Sequence, residues 1–166
     1  MPLDNLAYWI IFVHVASAFV FAAGHGVSIF MAFRLRRERQ PERIAAMLDL
    51  SSYALIAASV ALLVLLVTGI AAGWLLGSFG RWWVWISLGL LIVIAGVMTP
   101  VGATYYNTIR RGLGLRAGIK KDAPDPIPLP PAELAALLAS RRPEVLLLVG
   151  GGGFLVILWL MMFRPF

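Results

Sequence analysis

Four long apolar stretches limit what this chain can fold into: Tyr8 to Phe33, Leu50 to Leu76, Trp82 to Tyr106 and Val145 to Phe163. Each approaches or exceeds the roughly 20 residues that carry a helix across a hydrocarbon core. Inside a bilayer the backbone has no water to bond, so stretches of this length satisfy their amides internally, as helices. The expectation is an all-α fold, an integral membrane four-helix bundle that forms a single transmembrane domain over residues 1–166. Its helices are expected over about 8–33, 50–76, 82–106 and 145–163, with one long loop over 107–144. Hydrophobic residues make up 61% of the chain and charged residues only 13%, proportions far from those of a soluble domain of this size. The first stretch is expected to stay in the mature protein, because residues 1–7 carry no Lys or Arg and the apolar run is too long for a signal peptide.

The isoelectric point near 10.5 would suit a nucleic-acid partner, but the basic residues have no aromatic interleaving and fit no nucleic-acid module. They read instead as topology signals. Arg34, Arg36, Arg37, Arg39 and Arg43 separate the first two stretches, and Arg110, Arg111, Arg116, Lys120, Lys121, Arg141 and Arg142 separate the last two; only Arg81 and Arg164 fall elsewhere. By the positive-inside rule both basic stretches are cytoplasmic, which puts the N-terminus, the turn at Gly77 to Arg81 and the C-terminus outside. The chain then reads as a multi-pass protein of a bacterial inner (plasma) membrane, with the lipid bilayer as its solvent. Partner membrane subunits or further copies of itself are the protein partners expected.

Within the long loop, Asp122 to Pro131 is proline-rich and reads as an extended, semi-rigid spacer. Pro131 to Leu138 reads as a short helix with proline in its first turn, on the membrane surface beside Arg141 and Arg142. Trp82, Trp83 and Trp85 fit an aromatic belt at the outer interface.

The only two histidines, His14 and His25, both fall in the first apolar stretch, where an ionisable side chain is costly and commonly functional. At about 1.5 Å of rise per residue they stand about 16 Å apart in depth on roughly one helix face, too far apart to share one metal ion. His25 lies between Gly24 and Gly26, each costing about 1 kcal/mol against alanine in a helix interior. Small neighbours let another helix, or the flat face of a macrocycle, approach an imidazole closely. Either the two histidines ligate, or they hydrogen-bond across helices as neutral rings. Gly150 to Gly153 likewise imply a very close neighbour, while Gly69 and Gly73, and Gly89 and Gly96, have spacings of helix-packing faces. A packed bundle and a slot for a flat tetrapyrrole both use such gaps.

Thr99-Pro100 predicts a kink in the third helix, and the adjoining Met98 is a candidate thioether ligand, as are Met161 and Met162. The absence of cysteine excludes disulfides, thiolate metal sites and covalent haem attachment. No acidic or basic residue lies well inside a span, which argues against a proton-coupled transporter. Two histidines and scattered methionines give no clustered set of soft ligands along the sequence. There is no Ser/His/Asp set, HExxH, P-loop or dinucleotide fingerprint.

Phe12-Val-His14-Val-Ala-Ser-Ala18, the basic exit Arg34 to Arg37, Thr68-Gly69 and the terminal Met162-Phe-Arg164-Pro-Phe166 resemble a family of small bacterial four-helix membrane proteins, mostly of unknown function. That group is loosely similar to copper resistance protein D and to the HemJ-type membrane protoporphyrinogen oxidase. The resemblance implies that His14, which matches the first-helix histidine of the HemJ-like proteins, is associated with b-type haem. His25 lies outside the match. Those enzymes usually end in Lys-Pro-Phe, where Arg164-Pro165-Phe166 stands here, and they carry further histidines and a third-helix lysine that Trp82 to Tyr106 lacks.

The leading expectation is therefore a membrane b-type haem-binding protein in electron transfer or haem-linked redox chemistry. His14 and His25 are its candidate axial ligands, Met98 a further metal ligand, and Gly24 and Gly26 part of the cofactor site. The alternative is a non-catalytic accessory subunit of a larger respiratory or photosynthetic membrane complex.

Overall fold

The computed structural model describes residues 3–117 and 126–165, and all regular structure among them is helical. Helix α1 spans Leu3–Leu35, α2 Pro41–Leu75 and α3 Trp82–Gly112. A short helix α4, Pro131–Leu138, precedes the fourth span. That span is built in three pieces: α5 over Arg142–Leu146, a π-helical segment over Leu147–Gly152, and α6 over Gly153–Phe163. Four helices are long and apolar enough to cross a membrane, and large hydrophobic side chains such as Phe12, Phe19, Leu63 and Trp74 point outward along them. An exterior of this kind belongs in lipid, because no soluble surface carries so continuous an apolar cover.

The helices run past the apolar stretches at the end of the bundle rich in arginine. Helix α2 begins at Pro41 rather than Leu50, with Pro41 at its first position after the extended Gln40. Glu38 holds the preceding turn, its Oε1 accepting from the backbone N–H groups of Arg39 (2.9 Å) and Gln40 (3.1 Å), and those bonds lower its carboxyl below the usual range. Ile44 and Leu48, one turn apart in this polar start of α2, are fully buried. Helix α3 likewise continues beyond Tyr106, burying Ile109 and Gly112. Gly114 ends it at φ +75°: its N–H bonds Arg111 O and the Leu115 N–H bonds Arg110 O, a paired closure that a left-handed residue makes possible. The helix passes through Pro100 without a break.

These extensions build a core at the ends of the apolar spans. Ala32 and Leu35 of α1, Ile44 and Leu48 of α2, Tyr105, Tyr106 and Ile109 of α3, and Leu138 of α4 form one buried cluster. Helix α4 therefore packs into the protein with Leu138, where the sequence suggested a helix on the membrane surface. Leu129 and Leu134 close over Gly112, and the Leu129 N–H bonds Gly112 O at 2.9 Å. Asp122 to Asp125 of the expected spacer lie outside the described residues. Ion pairs from Arg36 to Glu144 and from Arg110 to Asp49 tie this end together. The hydrogen bond to Glu144 raises the Arg36 guanidinium above its ordinary value.

Higher in the bundle, α1 and α2 pack along their whole length, α3 pairs with α6, and α2 touches α3 little. The α1–α2 seam is made of small residues. A Cβ on Gly24 would stand 2.6 Å from the Ala54 carbonyl oxygen, so only glycine permits this approach. At the opposite end the Trp85 indole N–H donates to Phe79 O (2.9 Å), Phe79 covers Gly73, and the Arg164 guanidinium lies 5.7 Å over the ring of the buried Trp83. Trp82 and Trp85 remain exposed, as an interfacial belt requires.

Candidate functional site

The α1–α2 register brings His14 opposite Leu65, Thr68 and Gly69. Its Nδ1 lies 2.9 Å from the Leu65 carbonyl oxygen and 3.2 Å from Thr68 Oγ1. A carbonyl only accepts, so Nδ1 carries the proton, and Nε2 holds a free lone pair. The Thr68 hydroxyl donates to Val64 O at 2.7 Å, which leaves its oxygen free to accept a share of the same imidazole proton. Gly69 forms the floor under the ring: a Cβ there would be 2.9 Å from His14 Cε1. The tautomer and the orientation of the ring are thus fixed from α2, while among the described residues Nε2 has no hydrogen-bond partner and the residue stays only half-buried.

His25 meets different neighbours. The contact stripe toward α2 passes through His14, Gly24 and Ser28, and it drifts around a helix of 3.6 residues per turn. By His25 the same face has turned toward the fourth span. Its ring stacks on Phe21 at 5.7 Å with an interplanar angle of 5°, and Phe21 in turn touches Phe154 at 5.8 Å. His25 Nε2 is buried with no hydrogen-bond partner among the described residues. It points at Gly150, where a Cβ would collide with Nε2 and lie 2.8 Å from Met98 Cε. The fold therefore brings His25 and Met98 together at Gly150 and leaves His14 on a separate seam.

The remaining candidates divide. Gly24 serves the α1–α2 contact, whereas Gly26 faces open space, with nothing within 4 Å of an added Cβ. Of the four consecutive glycines, Gly150 meets His25 and Met98, Gly153 meets Ile94, Gly151 meets only Leu147, and Gly152 meets nothing. Met162 is exposed. Among the described residues no three His, Asp or Glu side chains gather where they could hold a metal ion.

An apolar groove of about 470 Å3 opens one turn along the seam from His14, lined by Phe12, Val13, Ala16 and Val20 on one side and Ala57 and Val60 on the other. A buried polar cluster escaped the sequence reading: Ser28 Oγ lies 2.8 Å from both Ser51 Oγ and Tyr106 Oη, and the Tyr106 hydroxyl reaches Ser28 O at 2.9 Å. It links α1, α2 and α3 near the arginine-rich end. Nothing along the sequence singles these hydroxyls out: Ser51 stands beside Ser52, and Tyr106 beside Asn107 and Thr108.

The arrangement of four spans with polar ends agrees with a family model that covers residues 8–165. The chain belongs to the DUF2269 family of predicted integral membrane proteins. The DUF2269 match takes in both histidine seams, the arginine-rich end and the π segment. Comparison with curated proteins and with solved structures returns no match.

Proposed function

We propose that this chain is a membrane b-type haem-binding protein of electron transfer or haem-linked redox chemistry, with His14 as an axial ligand. The observation that carries the reading is the bond from the His14 Nδ1–H to Leu65 O. Ligating histidines ordinarily donate their second ring nitrogen to a carbonyl or carboxylate, which fixes the tautomer and raises the basicity of the ligating nitrogen. His14 has that arrangement, with Nε2 open and an apolar groove beginning one turn away. When bound, a haem would supply one-electron redox chemistry at its iron. The chain's own part is to hold the His14 ring rigid between Leu65, Thr68 and Gly69, and to keep water from the groove with aliphatic and aromatic side chains. The resemblance of Phe12 to Ala18 to the first-helix motif of HemJ-like proteins supports the same residue. His25 does not suit a macrocycle, because Gly150 abuts its Nε2 and leaves no slot for a flat ring.

Protein purified in mild detergent from haem-replete cells is expected to show a Soret band and reducible α and β bands. His14→Ala is expected to remove them and His25→Gln to leave them. A colourless wild type, or a His14→Ala spectrum identical to the wild type, overturns the reading.

The alternative role, an accessory subunit of a larger complex, is favoured by one observation. Gly89 and Gly96, two turns apart on α3, have nothing within 4 Å of an added Cβ, an open small-residue face of the kind a partner helix or a second copy covers. Co-purification of larger subunits with a colourless chain would support it.

For orientation, we propose that the arginine-rich end is cytoplasmic and the termini are outside, in a bacterial inner membrane. The chain has no cysteine, so one introduced thiol is unique. In intact cells Gly80→Cys is expected to react with a membrane-impermeant maleimide and Gln40→Cys only after permeabilisation. Both positions are exposed, and the reverse pattern inverts the topology.

A further inference from the structure

A hydroxyl inside an apolar helix is commonly satisfied by the carbonyl one turn back. Ser52, Ser59, Thr68, Ser87 and Thr108 all bond that way, to the carbonyls of Leu48, Leu55, Val64, Trp83 and Thr104. Ser17 departs from the pattern: it is 8% exposed, and among the described residues its hydroxyl has no hydrogen-bond partner. It is also the one polar side chain lining the groove between α1 and α2, where Ala16, Ala57 and Ala61 leave space and Phe12 supplies an aromatic ring.

A hydroxyl proton without an acceptor is costly in hydrocarbon, where no water replaces the missing partner. Whatever completes Ser17 must therefore bring an acceptor. Depth narrows the choice. Ser17 stands nine residues from Tyr8 and sixteen from Phe33, about 14 Å and about 24 Å along the helix. Phospholipid phosphates and esters stay at the edge of the hydrocarbon core, and the acyl chains that reach this depth carry no polar atom. A ring carbonyl on an isoprenoid tail brings an acceptor into that layer, and its flat ring suits the ring of Phe12. We infer that the groove binds a lipid-soluble quinone, with Ser17 Oγ donating to one ring carbonyl and the tail leaving toward the bilayer. His14, Leu65, Thr68 and Gly69 do not line the groove, so the quinone lies along the seam from the imidazole rather than on it. Its part as a redox partner rests on the haem reading, but its binding does not.

The test uses haem-free full-length protein in phosphatidylcholine nanodiscs, with decylubiquinone as the probe. Trp9 packs edge-on to Phe12 at 5.9 Å, so binding is read as saturable quenching of protein fluorescence. Infrared difference spectra are expected to show the bound carbonyl stretch below its frequency in protein-free discs. Ser17→Ala breaks no bond within the protein and is expected to fold. It should weaken binding by about 3–10-fold, the worth of one hydrogen bond, and return the carbonyl band to its free position. Ala57→Leu, at an exposed position in the groove, is expected to abolish saturable quenching, while Ala103→Leu, exposed on α3, binds as the wild type does. Quenching that never saturates, or a carbonyl band unchanged by Ser17→Ala, overturns the site and leaves the groove to acyl chains. A chain that stays colourless from haem-replete cells but binds the quinone keeps the site and ends the haem reading, whereas a haem-loaded chain without saturable quenching does the reverse.

Discussion

Gly150→Ala is expected to destabilise the folded protein by about 1–3 kcal/mol, the usual cost of forcing atoms into a filled interior. The added methyl would collide with His25 Nε2 and stand 2.8 Å from Met98 Cε. Met98 is flexible and can swing aside. The imidazole has less freedom, because Phe21 stacks on one side of it and Phe154 backs Phe21 from the fourth span. The fourth span must then move away from α1 and α3, and the loss spreads along that seam. Gly152 lies two residues on in the same π segment with nothing within 4 Å of an added Cβ. Alanine there is expected to leave stability unchanged or raise it by up to about 1 kcal/mol, since it removes glycine's backbone freedom at no steric cost. Thermal unfolding in mild detergent followed by helical circular dichroism separates the two variants. Equal melting temperatures would mean that Gly150 is not the contact between the fourth span and α1.

That pair of glycines marks where the sequence stops being informative. Four spans were legible because run length alone sets membrane crossing, and the structure has four helices at those runs. The helix ends were not legible. Hydropathy falls sharply at Pro41–Asp49 and again past Tyr106, while the one-turn spacing of Ile44 and Leu48, and of Tyr105 and Ile109, continues into the charged sequence and is buried. Both histidines stood out as ionisable groups in apolar helices, but nothing in a linear sequence states the register between helices. The partner of His14 is a backbone carbonyl at Leu65, which carries no residue signature at all. Four consecutive glycines announced a close approach without saying which of them makes it, and the convergence of His25 and Met98 on Gly150 needs the positions of α1, α3 and the fourth span together. Ser28, Ser51 and Tyr106 were invisible for the same reason, each being an ordinary residue on its own helix.

The two histidines also meet different surroundings, in a way their spacing did not suggest. On one helix face they looked like equivalent ligands at two depths. The drift of the α1–α2 stripe hands His14 to a hydrogen-bonding seam and leaves His25 Nε2 without a partner among the described residues. The Nδ1 proton of His14 is committed to Leu65 O, the arrangement on which the proposed ligand role of that residue rests.

The arginine-rich end supplies the second large effect. Leu138→Ala is expected to cost about 2–5 kcal/mol, the range for truncating a filled core position. Leu138 is 1% exposed and belongs to the cluster of Leu35, Ile44, Leu48, Tyr105 and Ile109, so its removal opens a cavity bounded by α1, α2 and α3 that rigid helices cannot close. The consequence goes beyond α4. Arg36 reaches Ser140 O at 2.5 Å and pairs with Glu144, both in the segment that leads from α4 into α5, so loosening α4 also loosens the entry of the fourth span. Ile127→Ala is the control, because Ile127 is 88% exposed and its loss should change stability by no more than about 0.5 kcal/mol. Proteolysis in mild detergent reports the same event locally. Leu138→Ala is expected to be cut faster between α3 and α5, while cleavage elsewhere is unchanged. If Leu138→Ala instead behaved like Ile127→Ala in both measurements, α4 would lie on the membrane surface, as its sequence alone suggested, and the buried cluster would close without it.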